Sequence, residues 1–338
     1  MRDVAELAGV SQATVSYVLN AKISTRISPE TRRRVMDAAD TLSYRPNAIA
    51  RAMVSGKSKI IGTYQPHEGK SVLAGSWTNS VIRGISEALH IKQFHLLLYG
   101  YREVEEPRLS AFLDGIVDGL IVLAPHKSDT LPRLLAQSGF PTAIVSGEGY
   151  DDTDAVSVDA DNVQGARIAM EHLISLGHSR IAILVGPGGV PNAEDRRKGY
   201  EIAVQEHNLP VPPSYRIQSG FSSEQGEEAA ITALKLTPRP TALLAPNDIS
   251  AMGALNACAI LGLRVPDDVS VVGFDNVPYC ELSKPALTTI AQPAIEMGRA
   301  AAEMILALIS EDMVTEKCRK FPMELVLRES TGPPAIEQ

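Results

Sequence analysis

Short apolar segments rich in Ile, Val and Leu alternate with longer amphipathic stretches through most of this 338-residue chain, from Lys59 onward. Strands that alternate with helices form βαβ units, so the pattern predicts parallel sheets with helices on both faces. The predicted strands begin at Ile60, Leu96, Leu120, Thr142, Val156, Ile181, Ile217, Leu243, Val269 and Thr288. So many strands suit two doubly wound sheets better than one. A crevice between the two halves, at the carboxyl ends of the strands, is then the expected ligand site.

The first 59 residues follow a different pattern, which predicts three short helices. Gly9-Val10-Ser11 separates the first two and is typical of a helix-turn-helix. Ser11 is a good N-cap for the second helix, and Ser28 followed by Pro29 starts the third, whose Arg32-Arg33-Arg34 run we expect on a solvated face. The side chains expected to face inward are Val4, Ala5, Leu7, Ala8, Val15, Val18, Leu19, Val35, Ala38, Ala39 and Leu42.

The charge of the chain divides at the same place. Residues 1–59 contain ten Lys/Arg and five Asp/Glu, a net charge of +5, whereas the remaining 279 residues contain 22 and 35, a net charge of −13. The overall charge of −8 therefore conceals a basic head on an acidic body. This asymmetry indicates that any contact with nucleic acid is confined to the head.

Several classes of protein are excluded by what the sequence lacks. No apolar segment typical of a signal peptide follows Met1, and no apolar run reaches the roughly 18 residues of a membrane span, so we expect a cytoplasmic protein. Cys258, Cys280 and Cys318 are too widely spaced for a C-x-x-C pair, so we expect neither a disulfide nor a zinc site. Gly186-Pro187-Gly188-Gly189 lacks the nucleotide-binding fingerprints, and no nucleophile lies in a catalytic motif. We therefore predict no cofactor and no enzymatic activity.

The residue types on the second helix indicate which of them contact DNA. Gln12 and Tyr17 are long enough to reach base edges in the major groove, and Gln can bond adenine in bidentate fashion. Thr14, Ser16 and Asn20 are short polar residues that are better suited to phosphates. The alternative is a plain three-helix surface with no DNA function.

Motifs along the whole chain resemble the LacI/GalR family of bacterial transcription repressors. The head carries Asp3-Val4-Ala5-Glu6-Leu7-Ala8-Gly9-Val10-Ser11-Gln12-Ala13-Thr14-Val15-Ser16-Tyr17-Val18-Leu19-Asn20 and Leu42-Ser43-Tyr44-Arg45-Pro46-Asn47. The body carries Leu176-Gly177-His178, Asn247-Asp248, Val265-Pro266-Asp267-Asp268-Val269-Ser270, Gly273-Phe274-Asp275-Asn276, Leu287-Thr288-Thr289-Ile290 and Leu325-Val326-Leu327-Arg328-Glu329-Ser330-Thr331. Any one motif is weak, but the ordered set is specific.

The resemblance implies that the head binds double-stranded, pseudo-palindromic operator DNA as part of a homodimer. Many relatives carry Arg where Tyr17 stands, so we expect a different operator base there. Residues 46–53 resemble the family's hinge helix, in which Met53 takes the place of a Leu that wedges into the minor groove; a linker residue is the alternative. The positions that the resemblance assigns to DNA contact are Ser11, Gln12, Ala13, Thr14, Ser16, Tyr17, Asn20 and Met53, with Gln12, Ala13 and Tyr17 at bases.

The resemblance also implies a small-molecule effector, most often a sugar, bound between two lobes of the body. Asn247 and Asp275 directly follow predicted strands, where Asn and Asp also serve as helix N-caps, and Trp77 can equally be a core residue. Ser146 stands where many relatives carry a charged residue, so we expect a less charged pocket. The positions assigned to the effector are Trp77, Ser146, Asn192, Arg196, Phe221, Asn247 and Asp275.

We therefore predict a ligand-responsive repressor with an all-α helix-turn-helix head and an α/β body of two doubly wound parallel-sheet subdomains, of the periplasmic-binding-protein type I. The predicted parts are a DNA-binding domain over 1–45, a hinge helix and linker over 46–59, a body over 60–332 and a tail over 333–338. One subdomain comprises about 60–160 and 294–322, and the other about 161–293 and 323–332. Eight residues follow Ser330, too few for the heptad tail of tetrameric relatives, so we expect a dimer. The alternative is a solute-binding protein without DNA function.

Overall fold

A computed structural model describes residues 1–19, 27–45, 52, 56–66, 75–100, 109–147, 150, 152–312 and 314–335. The chain divides into two compact units, Met1–Lys59 and Ile60–Gln338, which we call the head and the body.

The head contains three helices around a small apolar core. They are α1 (Arg2–Ala8), α2 (Gln12–Leu19) and α3 (Pro29–Thr41). Two N-caps begin helices as predicted: the Ser11 hydroxyl accepts the Thr14 N–H at 3.1 Å, and the Ser28 hydroxyl accepts the Thr31 N–H at 3.2 Å. The buried core side chains are Val4, Ala5, Ala8, Val15, Val18, Val35, Ala38 and Ala39.

Two predictions for the head need correction. Leu7 is 56% exposed, because the short α1 buries only the stripe formed by Val4, Ala5 and Ala8. Leu42 is 44% exposed, because α3 ends at Thr41 and Leu42 is its C-cap. The arginine run lies at the surface as predicted, with Arg33 and Arg34 exposed, and the Arg34 guanidinium also donates to the carbonyls of Ala8 and Gly9.

The body contains two six-stranded sheets. The strands of the first sheet are β1 (Ile60–Tyr64), β2 (His95–Tyr99), β3 (Gly119–Leu123), β4 (Thr142–Val145), β5 (Val156–Ala160) and β11 (Cys318–Phe321). Their order is β11-β5-β4-β3-β1-β2, and every neighbouring pair is parallel.

The second sheet repeats this architecture with one antiparallel edge. Its strands are β6 (Ile181–Val185), β7 (Arg216–Gln218), β8 (Ala242–Leu244), β9 (Ser270–Asp275), β10 (Thr288–Ala291) and β12 (Glu324–Val326). The order is β12-β10-β9-β8-β6-β7, with β12 antiparallel to β10 and the other pairs parallel.

Helices cover the sheets, and the chain passes from one sheet to the other at three points among the described residues. The helices are α4 (Ser76–Ile91), α5 (Leu131–Gln137), α6 (Asn162–Ser175), α7 (Pro191–Glu206), α8 (Ser223–Leu234), α9 (Asp248–Ile260) and α10 (Ala294–Ile309). After β5 the chain enters α6, which packs on α7 and on strands of the second sheet. After β10 it enters α10, which packs on α4 and on the first sheet, and the third passage joins β11 to β12.

The predicted fold class is confirmed. Each of the ten predicted strands begins within one residue of a strand in the structure. The two strands that were not predicted, β11 and β12, lie at sheet edges, and their side chains are partly or fully exposed. Edge strands carry polar residues and therefore lack the continuous apolar pattern of central parallel strands.

Candidate functional site

The outward face of α2 carries the predicted DNA-contacting residues that the structure describes. Val15 and Val18 are buried, so the residues between and before them turn away from the core. Ser11, Gln12, Ala13 and Tyr17 are exposed or half-buried at the surface, and Thr14 and Ser16 are likewise accessible in part. The set presents one long amide and one phenol on a single helix face, which is what direct contact with base edges requires. Asn20 and Met53 lie outside the described residues.

The turn between α1 and α2 fixes how this face is presented. Gly9 has φ +62°, a conformation that costs little for glycine alone. A Cβ at this position would lie 3.1 Å from Arg34 Nη2. Since Arg34 also donates to the Ala8 and Gly9 carbonyls, α3 holds the turn from behind.

In the body, the buried Arg196 on α7 joins several polar groups at strand ends. Its Nε donates to Asn162 Oδ1 at 3.0 Å, Nη1 donates to the Pro246 carbonyl, and Nη2 lies 3.5 Å from Asp275 Oδ1. The guanidinium carbon lies 3.9 Å from the centre of the Phe274 ring, in cation–π contact. Four protein groups thus contact the Arg196 guanidinium.

Asp275 ends β9 and is bound from two directions. Gln292, directly after β10, donates its Nε2 to Asp275 Oδ1 at 2.5 Å, in addition to the contact with Arg196. Burial raises the pKa of Asp275 to about 7, although the Arg196 charge pulls that pKa down. Burial likewise raises the pKa of Asp159, on β5 of the first sheet, to about 7. The Arg196 charge therefore lies among carboxyls that gain or lose a proton near neutral pH.

Among the buried polar atoms that have no hydrogen-bond partner within the described ranges, five belong to strand ends or to the helices α4 and α7. They are Thr63 Oγ1, Trp77 Nε1, Ser146 Oγ, Asn192 Oδ1 and Gln292 Oε1. Buried polar groups are costly unless they are paired, so these atoms are suited to a polar ligand or to water. Thr63 lies at the carboxyl end of β1, Ser146 directly after β4, and Gln292 directly after β10. This is the edge of parallel sheets at which ligands bind.

Of the remaining predicted effector residues, Asn247 and Phe221 lie together, whereas Trp77 packs against the core. Asn247 caps α9, because its Oδ1 accepts the Ser250 N–H at 2.8 Å, and its Nδ2 donates to the Phe221 carbonyl at 3.1 Å. The N-cap alternative for Asn247 therefore holds, and Phe221 lies beside it. Trp77 is half-buried against the core of the body, in line with its core alternative, while its Nε1 is one of the unpaired atoms.

Besides Thr63, three residues of this site were not predicted: Asp159, Asn162 and Gln292. Asn162 donates to the Ala160 carbonyl at 3.1 Å and accepts from Arg196, so it connects the end of β5 to α7. Each of the three lies in or shortly after an apolar strand, where a polar residue is out of place for packing. That pattern was visible in the sequence.

A second set of contacts joins the two halves of the body. His126 and Lys127 follow β3 of the first sheet, and they meet the loop and first turn of α7. His126 Nε2 lies 2.8 Å from the Gly188 carbonyl, and the Lys127 N–H donates to the Gly189 carbonyl at 2.9 Å. Lys127 Nζ donates to Glu194 Oε2 at 2.7 Å. Because Glu194 lies on α7 with the predicted effector residues of that helix, these contacts set the position of α7 relative to the first sheet.

Comparison with known proteins assigns the chain to a family. Residues 1–47 match the family described as bacterial regulatory proteins, lacI family, and residues 170–331 match the periplasmic binding protein-like domain. The HTH-type transcriptional regulator DegA of Bacillus subtilis is 34% identical over 98% of this chain and 97% of its own length. The chain belongs to the LacI family of transcriptional regulators.

Two other kinds of relative agree with this assignment. The HTH-type transcriptional repressor PurR of Photobacterium profundum is 33% identical over 98% of both chains. Among solved structures, the lac repressor dimer bound to operator and the anti-inducer ONPF has a TM-score of 0.84, with 28% identity over 98% of both chains. The complex of the regulator CelR with cellobiose has a TM-score of 0.76, with 30% identity over 97% of this chain and 98% of that one.

The described part of this LacI-family chain contains no group of three or more His, Cys, Asp or Glu side chains arranged to hold a metal ion. None of its helices there is long and apolar enough to cross a membrane.

Proposed function

We propose that this chain is a ligand-responsive repressor that binds a pseudo-palindromic operator as a homodimer in the cytoplasm. The observation that carries the DNA-binding part is the outward face of α2, with Gln12, Ala13 and Tyr17 on a head of net charge +5. Phosphate contacts need cations, and the head holds them while the body is acidic. Residues 46–53 form the hinge helix in this proposal, with Met53 at the minor groove.

We further propose that the effector is an uncharged sugar, bound by Trp77, Ser146, Asn192, Arg196, Phe221, Asn247 and Asp275. The unpaired Asn192 Oδ1 and Gln292 Oε1 accept hydrogen bonds, Trp77 Nε1 donates one, and Ser146 Oγ can do either. A molecule rich in hydroxyl groups can both donate hydrogen bonds to these acceptors and accept one from the donor. Solved relatives hold cellobiose in one case and ribose in another.

Charge favours a neutral sugar over a sugar acid or a nucleotide. Arg196 is already bonded to three protein oxygens, and three buried carboxyls act on its charge: Asp275, Asp159 and Asp248. An anionic ligand would therefore meet an engaged cation and acidic neighbours. A neutral polyol needs no charge compensation when it is desolvated.

Selection of operator sequences from a random duplex library, followed by mobility shift, tests the DNA-binding part. A specific pseudo-palindromic site is expected, and no specific shift under any ligand condition would contradict the repressor function. In that case a solute-binding protein becomes the better description. A melting-temperature screen tests the effector, because a ligand that binds only the folded state stabilises it. We expect shifts with D-ribose, D-galactose or cellobiose, and none with D-glucuronate.

The variant Asp275→Ala tests the pocket. It should abolish the melting shift with the sugar that stabilises the parent chain, while operator affinity stays nearly the same. Asp267→Ala is the matched control, because it removes an exposed carboxylate from the same half of the body. A retained sugar response in Asp275→Ala would contradict the assignment.

A further inference from the structure

Asp248 has a fully buried carboxylate whose partners lie outside its own helix. It is the first residue of α9, where Asn247 already serves as the N-cap. Asp248 Oδ2 accepts the Val277 N–H at 2.8 Å, and Oδ1 accepts the Thr289 hydroxyl from β10. The Asn276 N–H and the Cys280 thiol favour the charged form of this carboxylate and so act against the rise in its pKa that burial causes. The carboxylate therefore binds the turn after β9 instead of capping a helix.

That turn has a backbone conformation that needs outside support. Asp275 has φ +114° and Asn276 has φ +60°, so two successive residues other than glycine lie in the left-handed region. Such residues persist only when their surroundings determine them. The Val277 N–H donates to Asp248, and the Asn276 N–H beside it stabilises the charge of the same carboxylate.

The approach of Asp248 to this turn also explains a glycine in β9. A Cβ on Gly273 would lie 2.2 Å from Asp248 Oδ1 and 2.9 Å from Leu287 Cδ2. Only a residue without a side chain lets the carboxylate reach past the strand. Two residues, Asp248 and Gly273, are thus fitted to each other beneath the turn.

We propose that Asp248 is a positioning residue that holds the Asp275 carboxylate toward the effector site. It acts through the backbone of Asn276 and Val277, and it does not itself contact the effector. The link to an effector rests on the function proposed above. The positioning role of Asp248 is tested without any effector. Its failure and the failure of the proposed effector binding can therefore be told apart.

The first test is native-state hydrogen exchange on the full chain carrying Asp248→Asn. The substitution keeps the shape but replaces one acceptor oxygen by an NH2 group. We expect the amides of Asn276 and Val277 to exchange at least about tenfold faster, while the amides of β6 and α7 keep their rates. Asp267→Asn is the control for loss of one charge and should change neither amide. Unchanged rates at Asn276 and Val277, or equal acceleration throughout the second sheet, would overturn the proposal.

A second variant covers the case in which Asp248→Asn does not fold. Thr289→Val removes one donor to Asp248 Oδ1 with almost no change in shape. It should accelerate exchange at the same two amides to a smaller degree. Rates equal to those of the parent chain would contradict the proposal.

A third measurement separates positioning from general stability. The charged groups that face Asp275 are Arg196 from α7 and Asp248 from α9, and the neutral Gln292 faces it from the end of β10. Because repulsion from Asp248 raises the pKa of Asp275, Asp248→Asn should lower the midpoint of the Asp275 carbon-13 titration. A midpoint equal to that of the parent chain would contradict the arrangement.

The functional consequence is measured with D-ribose, D-galactose and cellobiose as probes. A sugar that raises the melting temperature of the parent chain should lose at least about tenfold in affinity for Asp248→Asn, a change of about 1.4 kcal/mol. If none of these sugars stabilises the parent chain, the proposed effector class is wrong, and the exchange result still decides the role of Asp248. Unchanged sugar affinity together with faster exchange would remove the link between the turn and the effector.

Discussion

Lys127 and Glu194 form an ion pair that bridges the two sheets of the body, with Lys127 Nζ 2.7 Å from Glu194 Oε2. Glu194 uses its other oxygen to accept the Gly189 N–H at 3.1 Å. One carboxylate thus fixes the glycine loop before α7 and ties that loop to the first sheet. This contact between the two halves lies at the surface, whereas Arg196 on the same helix is buried.

Reversing the charges of this ion pair tests how much it contributes to the stability of the body. Lys127→Glu and Glu194→Lys should each lower the free energy of unfolding by about 1 kcal/mol or less, because both side chains are partly exposed. The double reversal should recover most of that loss, and urea unfolding of the four proteins measures it as a double-mutant cycle. Arg319 and Glu316 are an exposed pair close in sequence, and the same cycle on them gives the coupling of a pair that does not join the two halves. If the double reversal loses as much stability as the two single effects summed, the pair does not couple the sheets.

Tyr17 is expected to determine part of the operator sequence. It is 49% exposed on α2, and a phenol can offer a hydroxyl and an apolar ring to base edges. Tyr17→Ala should change base preference at one position in each half-site and weaken specific binding by about 1–3 kcal/mol. Operator selection on the variant measures this. Tyr279→Ala, at a 54% exposed site on the body, is the control; an operator profile unaltered by Tyr17→Ala would refute base contact.

We expect that replacing Gly9 lowers both the stability of the head and its affinity for the operator. Gly9→Ala places a Cβ in the left-handed region and 3.1 Å from Arg34 Nη2, so we expect a loss of about 1 kcal/mol or more in head stability. Operator affinity should fall, while sugar-induced stabilisation of the body stays the same. Gly139→Ala imposes a similar φ, +77°, on an open turn of the body and should spare operator affinity. Equal operator affinity for Gly9→Ala and the parent chain would show that the turn tolerates a side chain.

His178 makes the stability of the body sensitive to acid. Its Nε2 lies 2.8 Å from the Gly332 carbonyl and its Nδ1 2.9 Å from the Thr241 hydroxyl, and burial lowers its pKa below 6.5. The unfolded chain then binds more protons than the folded chain, so stability is complete above pH 6.5 and falls as the pH drops through that value. Urea unfolding at about pH 7.5 and about pH 5.5 measures the loss, which His178→Gln should reduce. His207→Gln, at a more exposed site, is the control. The same pH dependence in His178→Gln and the parent chain would exclude His178 as the cause.

Much of the fold was predictable because central parallel strands are buried on both faces. The segment Gly119–Leu123 is buried at every position, and such burial leaves a continuous apolar pattern in the sequence. Edge strands lack it: Cys318–Phe321 alternates exposed and partly buried residues and includes Arg319 and Lys320. Leu7 was misplaced for a related reason, since a helix of seven residues buries only one narrow stripe.

The candidate site was less predictable, because its contacts join residues far apart in the chain. Arg196 and Asp275 are 79 residues apart, and nothing local to either indicates that they meet. Asn247 was easier to predict. Its capping bond joins it to Ser250, only three residues away, and an N-cap was one of the two alternatives for Asn247. Gln292 could have been found from its place after an apolar strand, but its bond to Asp275 depends on the packing of β10 beside β9.

The three passages between the sheets have a mechanical consequence. They occur after β5, after β10 and between β11 and β12, and each sheet therefore contains strands from separate stretches of the chain. A protease that cuts the body once leaves both halves tied by the remaining passages, so neither half can drift away or be made as one continuous fragment. Any change in the angle between the two halves must therefore preserve these three connections among the described residues.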